Sequence, residues 1–477
     1  RDRLRSRGLG DVYKRQLRYW AKRIGIDGFR FDLGVTLARL EGEFTHHHPF
    51  LYALRSDLLL GNLKLIMEPW DLGNLGWRTG QFSVPFAEWN DRFRDTARTF
   101  WLEDVDGGSD FGRISLQEMA TRLCGSADLF ATEPGRGAPA SINFVSCHDG
   151  FTLTDLTRYR SKHNEANGEN NNDGSSVNHS ANFGVEGVTD DPDVIAAREQ
   201  AAMNMIGMLL LSLGTPMMLA GDEFRNTQDG NNNAYCQDND ITWLKWDWMY
   251  STNKTREMRR LETVSRLVAL RKSLDLYHHE DFFTRLTQIG LLKPSSRVQW
   301  FLPDGTTPME RDWFDLGVRS FTMRLLSNSE VDVCIVVNGT ADDRTFRLPP
   351  DTHWTPKWCS AEINGRRAGH GTQVEECDLN GDTTVWTQHV PDASETVLKM
   401  VEEVAMQRTE SSTENEADTI KFAMPVTDHA ANGTSSAPRD EVSADMPDAP
   451  VDDTPDTPVD DNVWTMPALS ITLMKQV

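Results

Sequence analysis

The sequence is short of basic residues, of paired cysteines and of long apolar runs, and each shortage excludes a class of protein. Its 477 residues include 49 Lys and Arg against 72 Asp and Glu, which gives a net charge of −23. Nucleic-acid binders need a basic surface instead, and anionic membrane surfaces repel such a charge. No segment reaches the roughly 18 apolar residues of a membrane span. We therefore expect neither a nucleic-acid partner nor a membrane partner.

The six cysteines are scattered along the chain, and no two of them form a Cys-x-x-Cys pair. This usage is typical of reduced thiols rather than of a disulfide framework. No apolar segment of a signal peptide follows the charged N-terminus. These features predict a cytoplasmic location. Three adjacent histidines, His46, His47 and His48, lack the spacing of a zinc site, so we expect no metal and no cofactor.

The run GIDGFRFD at residues 25–32 predicts a short strand that ends in a carboxylate. Its alternation places Phe29 and Phe31 on one face, and Arg30 and Asp32 on the other. Arg30 would keep Asp32 ionised by its charge and by hydrogen bonding. An ionised carboxylate on a rigid strand end is a candidate nucleophile, but a structural Arg–Asp pair has the same pattern. This stretch alone leaves both interpretations open.

Two later runs favour the catalytic interpretation. Residues 64–70, KLIMEPW, predict a second apolar strand that delivers Glu68, and residues 142–150, INFVSCHDG, predict a third that delivers His148 and Asp149. Helical patterns separate the three strands. Acids at the C-terminal ends of parallel strands are the arrangement found in the active sites of TIM-type barrels.

In this order, the motifs GFRFD, EPW and HDGFTL resemble the catalytic motifs of the α-amylase superfamily of glycoside hydrolases. The segments KHNEANGE at 162–169, GTPMMLAGDE at 214–223 and NNNAYCQDN at 231–239 resemble its isoamylase-type branch, and within it the bacterial glycogen debranching enzymes. The similarity extends from Leu17 to the low 400s and returns at the last strand.

The resemblance implies an α/β fold with a partial (β/α)8 TIM barrel, strands four to eight, followed by a C-terminal antiparallel β-sandwich. Residues 17–290 would form the C-terminal part of the catalytic barrel and residues 291–477 the sandwich. The first three strands would lie outside this sequence. Residues 1–16 are basic and patternless, which predicts a non-native or disordered segment. Residues 402–462 are acidic and poor in aromatics, which predicts a disordered insertion before a last strand.

The resemblance also implies roles for individual residues. Retaining glycosidases use two carboxyl groups ~5–5.5 Å apart. Asp32 would be the nucleophile, Glu68 the acid that later acts as base, and Asp149 the carboxylate that stabilises the oxocarbenium-like transition state. The residues expected to bind or orient the substrate are Arg30, His148, Trp70, Asn164 and Glu165.

These roles predict hydrolysis of α-1,6 branch linkages in glycogen or limit dextrin by a retaining double displacement, with branched α-glucan as the partner. Hydrolysis or transfer at α-1,4 linkages on the same catalytic set is the first alternative. Others are an inactive fragment that only binds glucan and a fragment of an active enzyme. The sequence does not indicate the preferred branch length or the oligomeric state.

Overall fold

The structure is a computed structural model that describes residues 12–104, 113–132, 135–278, 282, 298–326, 332–350, 353–371, 373–376 and 462–476. The predicted acidic insertion and residues 1–11 lie outside this part of the chain. The described residues all belong to one compact unit.

The strands are β1 Gly28–Phe31, β2 Arg39–Leu40, β3 Glu43–Phe44, β4 Lys64–Met67, β5 Ala87–Asn90, β6 Ser141–Asn143, β7 Thr215–Pro216, β8 Val298–Phe301, β9 Ser320–Leu325, β10 Val333–Asn338, β11 Arg344–Arg347, β12 Trp354–Cys359, β13 Arg366–Arg367, β14 Gly369–His370, β15 Glu375–Glu376, β16 Val463–Met466 and β17 Ser470–Gln476. The α-helices within the described residues include α1 Pro49–Arg55, α2 Asp91–Arg98, α3 Leu116–Leu123, α4 Ala127–Phe130, α5 Leu153–Leu156, α6 Pro192–Leu211, α7 Arg256–Ser273 and α8 Glu310–Phe314. Residues 12–19 are also helical and lead into a π-helical turn, Trp20–Ile24.

A parallel sheet with the strand order β1-β4-β5-β6-β7 carries the segments that lead to the predicted catalytic acids. β1 and β4 pair in parallel, with Phe31 opposite Met67. Because the next residues are Asp32 and Glu68, this register brings the two carboxylates out at the same edge of the sheet. Apolar side chains of both strands are buried in one cluster that includes Phe31, Leu65 and Met67.

The pair Asp191-Pro192 predicts a helix start, with the acid as N-cap and the proline as first helical residue, and the structure confirms this start for α6. The carboxylate of Asp191 accepts hydrogen bonds from the backbone N–H groups of Asp193 and Val194, and Pro192 is the first helical residue. By length and composition, the helix is long and apolar enough to cross a membrane. The search of the sequence for apolar runs did not single out this stretch. Its most apolar window is 72% buried within the fold, as in a core helix.

The C-terminal part forms two antiparallel sheets, with the orders β12-β17-β10-β9-β8 and β11-β16-β14. The larger sheet is buried on both faces, which explains the unbroken apolar run of β10. Val333, Ile335 and Val337 join the cluster that contains α6, whereas Cys334 and Val336 face the second sheet. A β-carbon at Gly207 of α6 would lie 2.7 Å from Ile471, so glycine permits this close packing.

The composition of residues 463–474 predicts one last strand, with Pro467 at an edge or bulge position, and the structure has strand there in a different form. The segment folds as two strands, β16 and β17, and Pro467 lies in the connection between them. β17 is central in its sheet, since it pairs with both β10 and β12. A proline cannot donate a ladder hydrogen bond, which is why the strand breaks there.

Two other predicted boundaries are wrong. The sequence predicts a helix from Leu51 to Leu60 that Gly61 and Asn62 end. In the structure the helix ends at Arg55, and Gly61 lies within a 3-10 turn, Leu60–Asn62. The third acid-bearing strand ends at Asn143, so Asp149 lies on the loop that follows it. The parallel sheet and the two antiparallel sheets agree with the expected architecture at this coarse level.

Candidate active site

Arg30 connects the carboxylates of Asp32 and Glu68. Its Nη1 lies 2.6 Å from Oδ1 of Asp32, and its Nη2 lies 3.1 Å from Oε2 of Glu68. The guanidinium also stacks over the indole of Trp89, at 4.3 Å from the ring centroid. Asp32 is the exposed member, with 73% of its side chain accessible, whereas the side chain of Glu68 is only 7% accessible. One planar cation therefore orients an accessible carboxylate and a sheltered one.

The surroundings of Glu68 favour its protonated form. Burial raises its pKa, and the charge of Asp32 adds to this effect. The backbone N–H of Leu33, which donates to Oε2 at 2.6 Å, and the charge of Arg30 act in the opposite direction without cancelling it. Leu33 has a positive φ of 42°, which turns its amide onto Glu68. A carboxyl group with a raised pKa beside an exposed carboxylate suits an acid–base pair.

Asp149 is linked to this pair through aromatic contacts. Nε2 of His148 lies 3.5 Å from Oδ2 of Asp149, and the imidazole packs edge-on against Trp89 with 5.8 Å between centroids. Trp89 is the same ring that carries Arg30. The side chains of His148 and Asp149 are 55% and 68% accessible. The accessible face of the site thus includes Asp32, His148 and Asp149.

Two asparagine-rich loops hold the segment that carries Asp149. The backbone carbonyl of Asn232 accepts from the N–H of Gly150 at 3.0 Å, and the side chain of Asn232 accepts from Asn164 at 2.9 Å. In return, the side-chain oxygen of Asn164 accepts from the backbone N–H of Asn232 at 2.9 Å. Buried Asp222 accepts from the hydroxyl of Ser146 and from the backbone N–H of Leu153. The loop of Asp149 is therefore fixed on both sides.

The predicted substrate-binding residues do not all share one setting. Trp70 is half-buried, and its indole hydrogen-bonds Glu68. Glu165 is exposed at the start of a 3-10 turn. Asn164 is fully buried, and its amide nitrogen donates to the backbone carbonyl of Asp173 and to the side chain of Asn232, so its contact with a sugar stays a prediction.

Sequence reasoning overlooked Trp89 and Asn232. The alternation of β5 contained a signal for Trp89, because it places Ala87 and Trp89 on the face opposite to Glu88. The run of three asparagines at 231–233 was noticed only as part of a family-like motif. That motif does not indicate how close the loop of Asn232 lies to the loop of Asn164. Among the described residues no group of three or more His, Cys, Asp or Glu side chains is placed to hold a metal ion.

Comparisons of the sequence find relatives named for glycogen metabolism. A glycogen debranching enzyme of Pectobacterium atrosepticum is 40% identical over 365 residues, which are 76% of this chain and 51% of the relative. A glycogen operon protein GlgX homolog of Haemophilus influenzae is 40% identical over 347 residues, 72% of this chain and 48% of the relative. A GlgX homolog of Mycobacterium tuberculosis is 42% identical over 308 residues, 64% of this chain and 41% of the relative. The chain spans about half the length of these relatives or somewhat less. No protein-family model matches the sequence.

Solved structures resemble this fold at low sequence identity. The GBS pullulanase SAP, determined in complex with maltotetraose, superposes with a TM-score of 0.52 at 12% identity and covers 99% of this chain and 49% of that chain. The catalytic module of SpuA, a multi-modular glycogen-degrading pneumococcal virulence factor, gives a TM-score of 0.51 at 13% identity and covers 99% of this chain and 54% of that chain. These similarities establish a shared fold.

Proposed function

We propose that the complete protein to which this chain belongs, a homologue of the bacterial glycogen debranching enzymes of the isoamylase-type branch of the α-amylase superfamily, hydrolyses α-1,6 branch linkages of glycogen or limit dextrin. The observation that carries the proposal is the single guanidinium of Arg30, which contacts both Asp32 and Glu68. Relatives at about 40% identity with debranching names support it. The substrate would be a branched α-glucan and the location cytoplasmic.

In the proposed mechanism, the exposed carboxylate of Asp32 attacks the anomeric carbon at the branch point. Protonated Glu68 gives its proton to the leaving oxygen, so that a covalent glycosyl-enzyme and a free chain result. Glu68, now ionised, then takes a proton from a water molecule. This water displaces Asp32 from the anomeric carbon, which gives net retention of configuration. The raised pKa of Glu68 supports the first proton transfer.

The remaining residues have supporting roles in this proposal. Arg30 orients Asp32 through a hydrogen bond of 2.6 Å. Asp149 stabilises the positive charge that develops on the sugar ring, and His148 and Trp70 contact sugar hydroxyls or ring faces. Glu165 lies at an exposed position from which it would reach a more distant sugar. The parallel sheet would supply strands four to eight of a (β/α)8 barrel, with β1 as the fourth strand.

Product analysis separates this function from activity at α-1,4 linkages. The complete protein should release linear malto-oligosaccharides from glycogen or from a phosphorylase limit dextrin, and it should leave linear amylose intact. Release of the same short products from amylose would contradict the α-1,6 assignment. Inactivity on both glucans, together with retained glucan binding, would support the alternative of a binding protein.

A further inference from the structure

A cavity that none of the three proposed catalytic acids lines lies beside the first half of α6. Its volume is about 270 Å³, and Thr154 and Thr189 form part of its wall. The charged groups that line it are Arg158, Arg198, Arg225, Arg256, Asp190 and Glu199. In a chain whose net charge is −23, a small cavity with four arginines and two carboxylates is a local concentration of positive charge.

The four arginines that line the cavity outnumber its two carboxylates, although Arg225 also forms an ion pair with Glu257, at 2.9 Å. Glu199 accepts from Arg225 at 2.7 Å, but its other oxygen accepts from Arg260 at 2.7 Å. These two cations lower the pKa of Glu199 although its burial raises it, so the group stays ionised. Asp190 is exposed. The negative charge of Glu199 is therefore divided between Arg225 and Arg260, which leaves it less able to compensate the other arginines of the cavity.

Arg158 and Arg198 retain capacity to donate hydrogen bonds. Within the described part of the chain, the guanidinium of Arg158 makes no hydrogen bond and no close ion pair. Its pKa is lowered, chiefly by burial and next by repulsion from Arg225. Arg198 is 4% exposed and donates to the carbonyls of Gly187, Asn182 and Val185, but its Nε is buried without a hydrogen-bond partner. Like charges gathered at one buried wall repel each other.

The positive charge of Arg256 also lies at an unfavourable position. It is the first residue of α7, and a helix N-terminus carries a partial positive charge that disfavours cations and favours anions. An anion in the cavity would compensate the repulsion among the arginines and the position of Arg256 together. A planar guanidinium matches the oxygens of a phosphate group in particular, because it donates two parallel hydrogen bonds.

We propose that this cavity binds a phosphate group, either as a small sugar phosphate or as a phosphate monoester carried by a glucan chain. The volume is at the small end for ligand pockets, so it fits one phosphorylated sugar unit and not a length of polymer. The hydroxyls of Thr154 and Thr189 are neutral donors for the remaining oxygens. The proposal rests on this cavity alone and is independent of the proposed hydrolysis.

Calorimetric titration of the complete protein at low salt tests the site, with inorganic phosphate, glucose 6-phosphate and glucose as probes. Both phosphate-bearing probes should bind and glucose should not. Arg158→Gln should weaken binding of glucose 6-phosphate by about ten-fold or more, because a charge-assisted hydrogen bond is lost. Arg256→Gln, at an exposed position that leaves folding intact, should also weaken it. Arg311→Gln removes an equally charged but distant and exposed side chain and should change nothing.

The outcomes separate the two sources of phosphate and can overturn the site. A phosphorylated maltodextrin that displaces glucose 6-phosphate, when its phosphatase-treated form does not, would identify glucan phosphate as a ligand. If it fails to displace the sugar phosphate, the ligand is the small molecule. No binding of either phosphate probe, or equal binding by wild type, Arg158→Gln and Arg256→Gln with unchanged melting temperatures, would overturn the proposal.

Discussion

Glu68 and Glu88 are buried carboxyl groups on neighbouring strands of one parallel sheet, but they have different partners. Glu88 accepts from the backbone N–H groups of Gly80 and Phe82 and from Arg136, at 2.6, 3.1 and 2.6 Å. Arg136 is itself buried and pairs with Glu88 alone among the described carboxylates. Glu68 receives one backbone N–H, and its arginine is shared with the exposed Asp32.

The comparison shows that a raised pKa alone does not identify a catalytic acid. Burial raises the pKa of Glu88 to about 7 in spite of Arg136, and burial also raises the pKa of Glu68. The two carboxyl groups differ in how fully protein hydrogen-bond donors surround them. Glu88 has a complete set of protein donors, whereas Glu68 belongs to a group whose other carboxylate faces solvent. Structural and catalytic carboxyl groups are therefore distinguished by their neighbours.

The largest effect should come from the exposed carboxylate. In the complete protein, Asp32→Asn should lower kcat on branched glucan by at least about 10³-fold, because an amide cannot act as the nucleophile. Its melting temperature should stay close to that of the wild type, since the side chain is exposed. Asp27→Asn, at an exposed position before the other end of β1, is the matched control and should retain activity. Near-normal debranching by Asp32→Asn would refute the assignment.

The opposite pattern is expected at the buried pair. Glu88→Gln should reduce the free energy of unfolding by about 3 kcal/mol, because Arg136 would be left as an uncompensated buried charge. Urea denaturation measures this loss. Glu375→Gln breaks a similar ion pair with Arg367, at 2.7 Å but on the surface, and should cost well below about 1 kcal/mol. Equal losses in the two variants would show that burial does not govern the strength of these pairs.

The fold was predictable wherever a local pattern determines an element. The alternation of residues 28–31, the cap at Asp191 and the helical spacing of Leu261, Val264 and Val268 in α7 all predict elements that the structure contains. The position of β17 was not predictable in the same way. Its central place depends on pairing with β10, more than 130 residues earlier, and no local signal distinguishes a central apolar strand from an edge strand. Pro467 marked a break, but it suited a turn as well as an edge.

The site was predictable to the level of its acids and no further. Motifs pointed to Asp32, Glu68 and Asp149, and these assignments remain predictions that the contacts of Arg30 and Trp89 support. The role of Asn164 was not predictable to the same degree, because a polar residue in a long loop has the same sequence signature whether it binds substrate or another loop. Only its burial and its two hydrogen bonds to Asn232 separate these possibilities.

The smallest effect expected is a pH shift, and it tests which contacts tune Glu68. The indole of Trp70 hydrogen-bonds the carboxylate form and thereby lowers the pKa of Glu68, against the larger upward effect of burial. Proton donation requires protonated Glu68, so kcat/KM should fall as pH rises through this pKa. Trp70→Phe removes the donor and keeps an aromatic ring. The alkaline limb of the kcat/KM profile should therefore move to higher pH, by less than about one unit.

Trp77→Phe, at an indole that donates to Asp91 instead, is the matched control and should leave that limb unmoved. A shift to lower pH in Trp70→Phe would show that the indole favours the protonated acid. The indole could then no longer be counted among the groups that lower the pKa of Glu68 in its comparison with Glu88.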